Sequence, residues 1–198
     1  MGAQVSSNFR GAAKKDNIKK LDILLEKHPE LLEAKSKDFE NTALMGALRF
    51  RRDKAVMWLL EKGANPNLTN KFDATCLEIA VLDRNSINVI DMLIEKGADP
   101  HRIGTSGVSL LMYACEFGDI DMVKKILTYD DDIVRRTPLG CNLLHFAAEN
   151  KNRNNSYDIV RFLLEKGVDR TVGTLKFDMK PSDFAAHKKV KLLLETGL

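Results

Sequence analysis

The 198-residue sequence has few of the features that mark secreted and membrane proteins. Its three cysteines, Cys76, Cys115 and Cys141, lie far apart and form no paired motif. An odd number of unpaired cysteines is typical of free thiols in a reducing compartment. No eighteen apolar residues run together, and the first thirty residues lack the apolar stretch of a secretory signal. The sequence therefore predicts neither a transmembrane helix nor a signal peptide.

The sequence also lacks a strong excess of charge of one sign. Its 31 Lys and Arg residues nearly balance 28 Asp and Glu residues, which leaves a net charge of +3. Nucleic-acid-binding domains usually show a much larger and clustered basic excess. We therefore predict that the protein has no nucleic-acid partner.

Motifs for catalysis and metal binding are missing as well. No two of the four histidines have metal-ligand spacing, and neither Cys-x-x-Cys nor His-Glu-x-x-His occurs. Gly104 and Gly107 are not followed by a phosphate-binding pattern. We therefore predict no catalytic residues, no metal and no cofactor. A nucleophilic triad that only the fold assembles leaves no such pattern, so an enzyme stays open as an alternative.

A short apolar pattern, on the other hand, recurs through the whole chain. The pattern is apolar-x-x-apolar-apolar, and its positions share one face of a helix, so each copy predicts an amphipathic helix. Successive copies begin 30 to 37 residues apart, a period near 33 to 34 with a late insertion and then a deletion. The six copies begin at Leu21, Val56, Ile90, Val123, Val160 and Val190.

Two further markers keep the same period. An alanine precedes each copy, and a glycine follows three of them where a helix needs a left-handed cap. Each unit is therefore predicted to run helix, short turn, helix, glycine stop and polar loop. The alanines are Ala12, Ala47, Ala80, Ala114, Ala147 and Ala185, and the glycines are Gly63, Gly97 and Gly167.

The units resemble the ankyrin repeat, which carries a T-P-L-H-x-A signature at its first helix. The matching segments are Thr42–Ala47, Thr75–Ala80, Ser109–Ala114 and Asn142–Ala147. The resemblance covers about Phe9 to Leu194. It implies an all-α ankyrin-repeat solenoid of about six helix-turn-helix units, with short β-turn fingers and degenerate end caps. It also implies a structural hydrogen-bonding role for His145.

The domain organisation follows from the same repeat. We expect residues 1–8 to form a flexible N-terminal segment and residues 9–198 to form the repeat domain. The polar segment Asn150–Ser156 predicts a solvated loop between the helices of the fifth unit, and the short sixth unit predicts a compressed cap. The approximate units are 9–35, 36–68, 69–102, 103–135, 136–172 and 173–198.

The resemblance implies a protein partner that docks on a concave surface made by finger tips and first helices. Aromatic residues flanked by arginine are typical of protein-binding hot spots. The alternative is that some of these phenylalanines pack between repeats. Counted from the signature, the candidate residues are Phe39, Asn41, Arg49, Phe50, Lys71, Phe72, Leu82, Glu116 and Phe117.

The N-terminus adds a second functional clue. The opening Met-Gly-Ala-Gln-Val-Ser matches the N-myristoylation pattern, with Gly2 as the acylated residue and Ser6 at the hydroxyl position. One acyl chain binds membranes only marginally, so stable attachment needs a second signal. Basic residues crowded on the predicted first helix are candidates for that signal, with an ordinary solvated helix face as the alternative. They are Arg10, Lys14, Lys15, Lys19 and Lys20.

We therefore predict a monomeric, non-enzymatic scaffold in the cytoplasm. It binds a protein partner and attaches reversibly to the cytoplasmic face of a membrane through Gly2. One alternative is a soluble ankyrin-type inhibitor or assembly factor, for which the Gly2 match is accidental. A second is a pathogen effector that borrows host acylation, and an enzyme is the third.

Overall fold

The computed structural model describes residues 2–150 and 153–197, and these fold into α-helices and two 3-10 helices with no β-strand among them. The helices of the first half are α1 (Gly2–Ala13), α2 (Ile18–Lys27), a 3-10 helix (Pro29–Glu33), α3 (Ala43–Arg49), α4 (Asp53–Glu61), α5 (Cys76–Leu82) and α6 (Ile87–Glu95). Those of the second half are α7 (Leu110–Phe117), α8 (Ile120–Leu127), α9 (Leu143–Ala148), α10 (Arg153–Glu165), a 3-10 helix (Pro181–Phe184) and α11 (Lys188–Thr196).

The chain divides into two compact parts, with the division between Asp99 and Pro100. Within the first part, α1, α3 and α5 pack in one layer, and α2, α4 and α6 pack in a second layer. Within the second part, α7, α9 and the 3-10 helix Pro181–Phe184 form one layer, and α8, α10 and α11 form the other. Each unit contributes one helix to each layer. In the sixth unit a 3-10 helix takes the place of the first helix, as the predicted compressed cap requires.

The apolar stripes form the core of both parts, as their spacing predicted. The first residue of every stripe is buried, which removes the apolar side chain from water and contributes about 1.5–3 kcal/mol for each Val, Leu or Ile. The repeating alanines up to Ala147 are buried as well, where a small side chain lets neighbouring helices approach closely. Ala185 differs, because it ends the 3-10 helix of the last unit and is half-buried.

The first helix of each central unit begins directly after the first residue of the signature. Thr42, Thr75, Ser109 and Asn142 are N-caps whose side-chain oxygens accept hydrogen bonds from main-chain N–H groups of the first turn. Such a cap stabilises a helix by about 1 kcal/mol. The signature polar residue therefore sets where each of these helices starts.

The second helices of three units end at the predicted glycine stops. Gly63 and Gly97 have φ of 88° and Gly167 has φ of 82°. These left-handed angles strain residues that have a Cβ, so glycine is the residue that ends the helix with least strain.

Fingers of two or three short turns connect the units. The main-chain N–H of Asn70 donates to the carbonyl of Ala74 at 3.1 Å and closes one finger. Neighbouring fingers are linked by the N–H of Lys71, which donates to the carbonyl of Phe39 at 3.1 Å. The N–H of Leu175 makes the equivalent bond to the carbonyl of Leu139 at 2.9 Å in the second part.

The N-terminal segment differs from the prediction of a flexible stretch at residues 1–8. Helix α1 begins at Gly2 and packs against α2 and α3, while Met1 lies outside the described residues. Phe9, Ala12 and Ala13 are buried and fix the helix to the first part. These three side chains fall on one helix face, and the helix continues from them towards Gly2.

The prediction of a solvated loop at Asn150–Ser156 was wrong for the residues of this segment that the structure describes. Helix α10 already begins at Arg153, and Asn150 and Ser156 are buried. Nδ2 of Asn150 donates to the carbonyl of Cys115 at 2.6 Å, and Oγ of Ser156 donates to the carbonyl of Ala147 at 2.7 Å. These side chains are polar because they satisfy buried carbonyl groups, not because they face water. Lys151 and Asn152 lie outside the described residues.

Candidate functional site

Three of the predicted partner-binding residues form a cluster on two neighbouring fingers of the first part. The ring centroids of Phe39 and Phe72 lie 6.0 Å apart, and Nζ of Lys71 lies 4.9 Å from the first ring and 5.4 Å from the second. The two rings remain 46% and 65% exposed. Each exposed cation–π contact stabilises this arrangement by about 0.5–1 kcal/mol, so the aromatic surface is held in place before any partner binds.

A pocket of about 430 Å³ adjoins this cluster and shares the ring of Phe39 as a wall. The predicted residues Asn41, Arg49 and Phe50 also line it. The pocket thus brings together, in the first part, predicted residues from a finger and from helix α3. Its volume falls in the range of ligand-binding pockets.

The pocket carries charges of both signs with a basic excess. Arg10, Lys14 and Arg49 line it together with Asp38 and Asp83. Burial raises the pKa of Asp83, and the nearby Arg49 guanidinium, with Nε 3.9 Å from Oδ2 of Asp83, opposes that rise. Burial lowers the pKa of Arg10, which still stays protonated because a guanidinium does not lose its proton in proteins.

Lys14 and Arg10 enter this pocket although the sequence assigned them to the membrane. Nζ of Lys14 lies 5.4 Å from the ring of Phe50. The guanidinium of Arg10 donates to Oγ of Ser6 and, at 3.5 Å, to the carbonyl of Ala34. Sequence reasoning missed this role because Arg10 and Lys14 precede the α3 residues of the pocket by more than thirty positions.

The other candidate binding residues lie in more closed surroundings. Leu82 ends helix α5 and is half-buried, and Glu116 and Phe117 are half-buried in helix α7 of the second part. Phe50, in contrast, is 51% exposed. Leu82 and Phe117 are therefore less accessible to a partner than the exposed rings of the first part.

The sequence predicted that the basic residues near the N-terminus all lie on the first helix. The structure places them on two helices and on the turn between them. Arg10 is on α1, Lys14 and Lys15 lie in the turn after it, and Lys19 and Lys20 are on α2. The first helix ends at Ala13, because Asp16, with φ of 54°, and Asn17, the N-cap of α2, turn the chain.

The predicted acylation site is accessible in this arrangement. Gly2 is exposed at the start of α1, and beyond its own turn of helix no described residue lies within 4 Å of the place where a Cβ would stand. Lys15, Lys19 and Lys20 are exposed as well.

His145 is buried and hydrogen-bonded at both ring nitrogens. Nδ1 lies 3.1 Å from the main-chain nitrogen of Asn142 and 2.8 Å from its Oδ1, and Nε2 lies 3.1 Å from the carbonyl oxygen of Met179. Burial lowers the pKa of His145, which favours the neutral ring. These bonds tie helix α9 to the next finger, the structural role that the resemblance implied.

Neither a metal site nor a membrane-spanning segment is found where the structure describes the chain. Across residues 2–150 and 153–197, no three His, Cys, Asp or Glu side chains are grouped so that they could hold a metal ion. The described helices are all too short or too polar to cross a bilayer.

Comparison with known families identifies the fold. The family described as "Ankyrin repeats (3 copies)" matches residues 9–104 and 77–174. The chain is an ankyrin-repeat protein. Its repeats form an all-α ankyrin fold, as the sequence predicted, and ankyrin repeats generally act as non-enzymatic modules for protein–protein interaction.

Curated relatives of this ankyrin-repeat chain are much longer proteins. The mitochondrial disaggregase of Bos taurus is 30% identical over 169 residues, which cover 83% of the chain and 24% of that protein. The human transient receptor potential cation channel subfamily A member 1 is 30% identical over 134 residues, 67% of the chain and 12% of that protein. The chain thus spans a quarter or less of these two relatives.

Two solved structures resemble the ankyrin-repeat chain over nearly its whole length. A chain from the complex of the Bd0816 predatory endopeptidase of Bdellovibrio bacteriovorus with immunity protein Bd3460 superposes with a TM-score of 0.80 at 25% identity, over 96% of this chain and 98% of that one. An ankyrin repeat domain from Acinetobacter baumannii AYE gives a TM-score of 0.76 at 24% identity, over 94% and 95% of the two chains.

Proposed function

We propose that this ankyrin-repeat protein is a non-enzymatic adaptor that binds a protein partner through the fingers and first helices of its first part. The exposed pair Phe39 and Phe72, bridged by Lys71, is the observation that carries the proposal. Binding energy at protein interfaces concentrates in aromatic and arginine side chains that become buried on association. Arg49 at the end of helix α3 and Phe50 directly after it extend this aromatic and basic surface.

The arrangement suits rapid and specific association. The rings are held by contacts within the chain, so few side chains lose conformational freedom when the partner binds. Lys71 and Arg49 add positive charge at the same place, which favours a partner with a complementary surface. The chain remains predicted to be a monomer, with the partner surface open to another protein.

The experiment compares partners labelled by proximity labelling in native cells. The variant Phe39→Ser with Phe72→Ser removes both rings from the fingers. The matched control, Ile23→Ser with Met57→Ser, removes two exposed apolar side chains from helices α2 and α4, which are 55% and 44% exposed. Circular dichroism should first show that the finger variant is folded. The proposal then requires that this variant loses partners that the control retains. Equal labelling by both variants rejects it.

We further propose that Gly2 is N-myristoylated and holds the adaptor at the cytoplasmic face of a membrane. The exposure of Gly2 supports this, because the acylating enzyme needs a free glycine amine after removal of Met1. The exposed Lys15, Lys19 and Lys20 provide the second, electrostatic signal, at about 1 kcal/mol for each basic residue near an anionic leaflet. Arg10 and Lys14 are left out of this signal, because they line the pocket.

The tether has its own test. Intact mass after expression in eukaryotic cells should show the myristoyl increment in the parent and not in Gly2→Ala. Binding to anionic vesicles should require both that increment and Lys15, Lys19 and Lys20, and should weaken as salt is added. If the parent protein lacks the mass increment, the proposal of a lipid tether is rejected, and the proposal of partner binding is not affected.

A soluble inhibitor is the second candidate function. The similarity to a chain from a complex of an endopeptidase with an immunity protein favours it. The two functions differ in what happens to the partner identified by labelling. If the partner loses its activity when an equimolar amount of this protein is added, the inhibitor function is supported. If the partner stays active and changes its location in the cell, the adaptor function is supported.

A further inference from the structure

The wall of the first-part pocket includes a position at which one repeat lacks a side chain that three others have. The fourth residue after the N-cap of each central first helix is Gly46 in α3, Ile79 in α5, Tyr113 in α7 and Phe146 in α9. Gly46 lines the pocket. Where the next repeat places Ile79, α3 presents bare backbone.

Lys14 covers the bare backbone that this glycine leaves. A Cβ at position 46 would lie 3.3 Å from Cε and 3.5 Å from Cγ of Lys14. The lysine stem therefore crosses α3 at Gly46, and its ammonium group reaches the ring of Phe50. The glycine is what brings a charge from the turn after α1 into the pocket.

The walls combine positive charge with aromatic surface. Three cations, Arg10, Lys14 and Arg49, meet two acids, and one of these acids, Asp83, already lies close to Arg49. The rings of Phe39 and Phe50 supply the apolar part of the lining. A ligand that complements these walls carries a negative charge next to an apolar group.

We propose that the pocket receives an aspartate or glutamate side chain of the protein partner, flanked by an apolar residue that rests on Phe39 or Phe50. This inference depends on the proposed function and specifies the chemistry of the partner at the same surface. Carboxylates make short, charge-assisted hydrogen bonds with guanidinium and ammonium groups, and those bonds strengthen where the pocket excludes water. The apolar neighbour distinguishes such a peptide from a bare anion.

The test begins with a random-peptide library displayed on phage and selected on the full chain. Enriched peptides should contain Asp or Glu beside an apolar residue. Their synthetic forms, measured by fluorescence polarisation, should lose about tenfold or more in affinity when that acid becomes Asn or Gln, as expected for a hydrogen bond to a charged group. The affinity should also fall as salt is added.

Gly46→Tyr closes the pocket with the side chain that repeat α7 already carries. Lys14 is exposed and free to swing away, so the variant should fold, with an unchanged circular dichroism spectrum. Its affinity for the enriched peptides should be lower than that of the parent by about tenfold or more. Met57→Tyr is the matched control, since it adds the same side chain to an exposed position of α4 outside the pocket, and it should bind like the parent.

A second pair of variants does not depend on filling the pocket. Arg49→Gln should weaken the acidic peptides, whereas Asp83→Asn should strengthen them by removing a competing negative charge. The inference is overturned if no peptide is enriched, if the enriched peptides do not need their acids, or if they bind Gly46→Tyr as they bind the parent. It is also overturned if inorganic phosphate or anionic vesicles bind the parent and lose affinity for Gly46→Tyr, while acidic peptides show no such difference.

The outcomes separate this inference from the proposed function. If Phe39→Ser with Phe72→Ser loses the cellular partners while Gly46→Tyr keeps them, the surface binds a partner and the pocket does not take its acid. If both variants keep them, the proposed function fails as well.

Discussion

Nδ2 of Asn85 donates a hydrogen bond to the main-chain carbonyl of Leu48, at 3.1 Å, and so links one repeat to the end of the preceding first helix. The same nitrogen also donates to the carbonyl of Ala80 at 3.3 Å. In the second part, Asn150 makes the corresponding bond to Cys115. Leu48 and Cys115 each follow a signature alanine directly, so the two asparagines bind carbonyl groups at equivalent places in their repeats.

Replacement of Asn85 should therefore destabilise the first part. Asn85→Ala removes the side-chain hydrogen bonds to the carbonyls of Leu48 and Ala80, so we expect the free energy of unfolding to fall by about 1–3 kcal/mol. Asn85→Asp should cost at least as much, because a carboxylate cannot donate and would face two carbonyl oxygens. Urea denaturation measures both losses. The exposed Asn88→Ala on α6 is the control and should change stability by less than about 0.5 kcal/mol. A similar loss in the control would contradict the assigned role.

The stability of the second part should depend on the protonation of His145. Burial lowers its pKa below the ordinary value of about 6.5, so the unfolded chain binds the proton more tightly than the folded chain. This contribution is complete above pH of about 6.5 and is lost as the pH falls towards the folded pKa. The parent should therefore lose stability on acidification relative to His145→Gln.

The glutamine variant isolates this effect. Gln at the third helical position can still accept the hydrogen bond from the N–H of Asn142, as in a capping box, and it does not titrate. Denaturation curves from about pH 7.5 to about pH 5 should show the stability difference between parent and variant shrinking as the pH falls. A difference that stays constant over this range would mean that His145 titrates alike in both states.

The repeats could be predicted from the sequence because their signals are local. Stripe residues such as Val56, Leu59 and Leu60 lie about one helical turn apart, and Gly63 follows three residues after the last of them. Spacings of three and four residues in a helix fix which side chains share a face, whatever the rest of the chain does. Helix pairs, glycine stops and the buried core were therefore predicted correctly.

The candidate site could be predicted only in part, because its contacts join distant residues. Phe39, Phe72 and Lys71 followed from counting along the repeat. The position of Lys14 did not, because it depends on the absence of a side chain at Gly46, more than thirty residues later. Asn150 was misread for the same reason, since its buried partner at Cys115 leaves no trace in the local composition.

Close packing of the fingers of the second part predicts a strong difference between two glycines. Gly107 and Gly167 both have positive φ, of 70° and 82°. A Cβ at Gly107 would lie 2.3 Å from Cδ of Pro138 in the next finger, whereas a Cβ at Gly167 would meet nothing within 4 Å. Gly167→Ala should cost about 1 kcal/mol from backbone strain alone.

Gly107→Ala should cost about 1–3 kcal/mol more than Gly167→Ala, because the proline ring is rigid and must be displaced. Thermal denaturation of the two variants beside the parent gives the comparison directly. Equal losses of stability in the two variants would show that the fingers separate without cost, and would contradict the predicted role of the contact with Pro138. Gly107→Ala with Pro138→Ala should recover part of the loss, as expected for two residues in contact.

The three cysteines should react with thiol reagents in two classes. Cys76 and Cys115 are fully buried, and burial raises the pKa of each thiol, with the nearby Glu33 carboxylate adding to the rise for Cys76. Because the thiolate is the reactive form, both should stay unmodified while the chain is folded. Cys141 is half-buried in a finger and should react first.

Labelling with a coloured disulfide reagent near pH 8 should therefore show one fast thiol in the native protein and three in denaturant, and Cys141→Ser should abolish the fast phase alone. The slow phase should follow unfolding, so its rate should rise with urea while the rate at Cys141 barely changes. A second fast thiol in the native chain would place Cys76 or Cys115 at the surface and contradict the stacking of α5 or α7 within its layer.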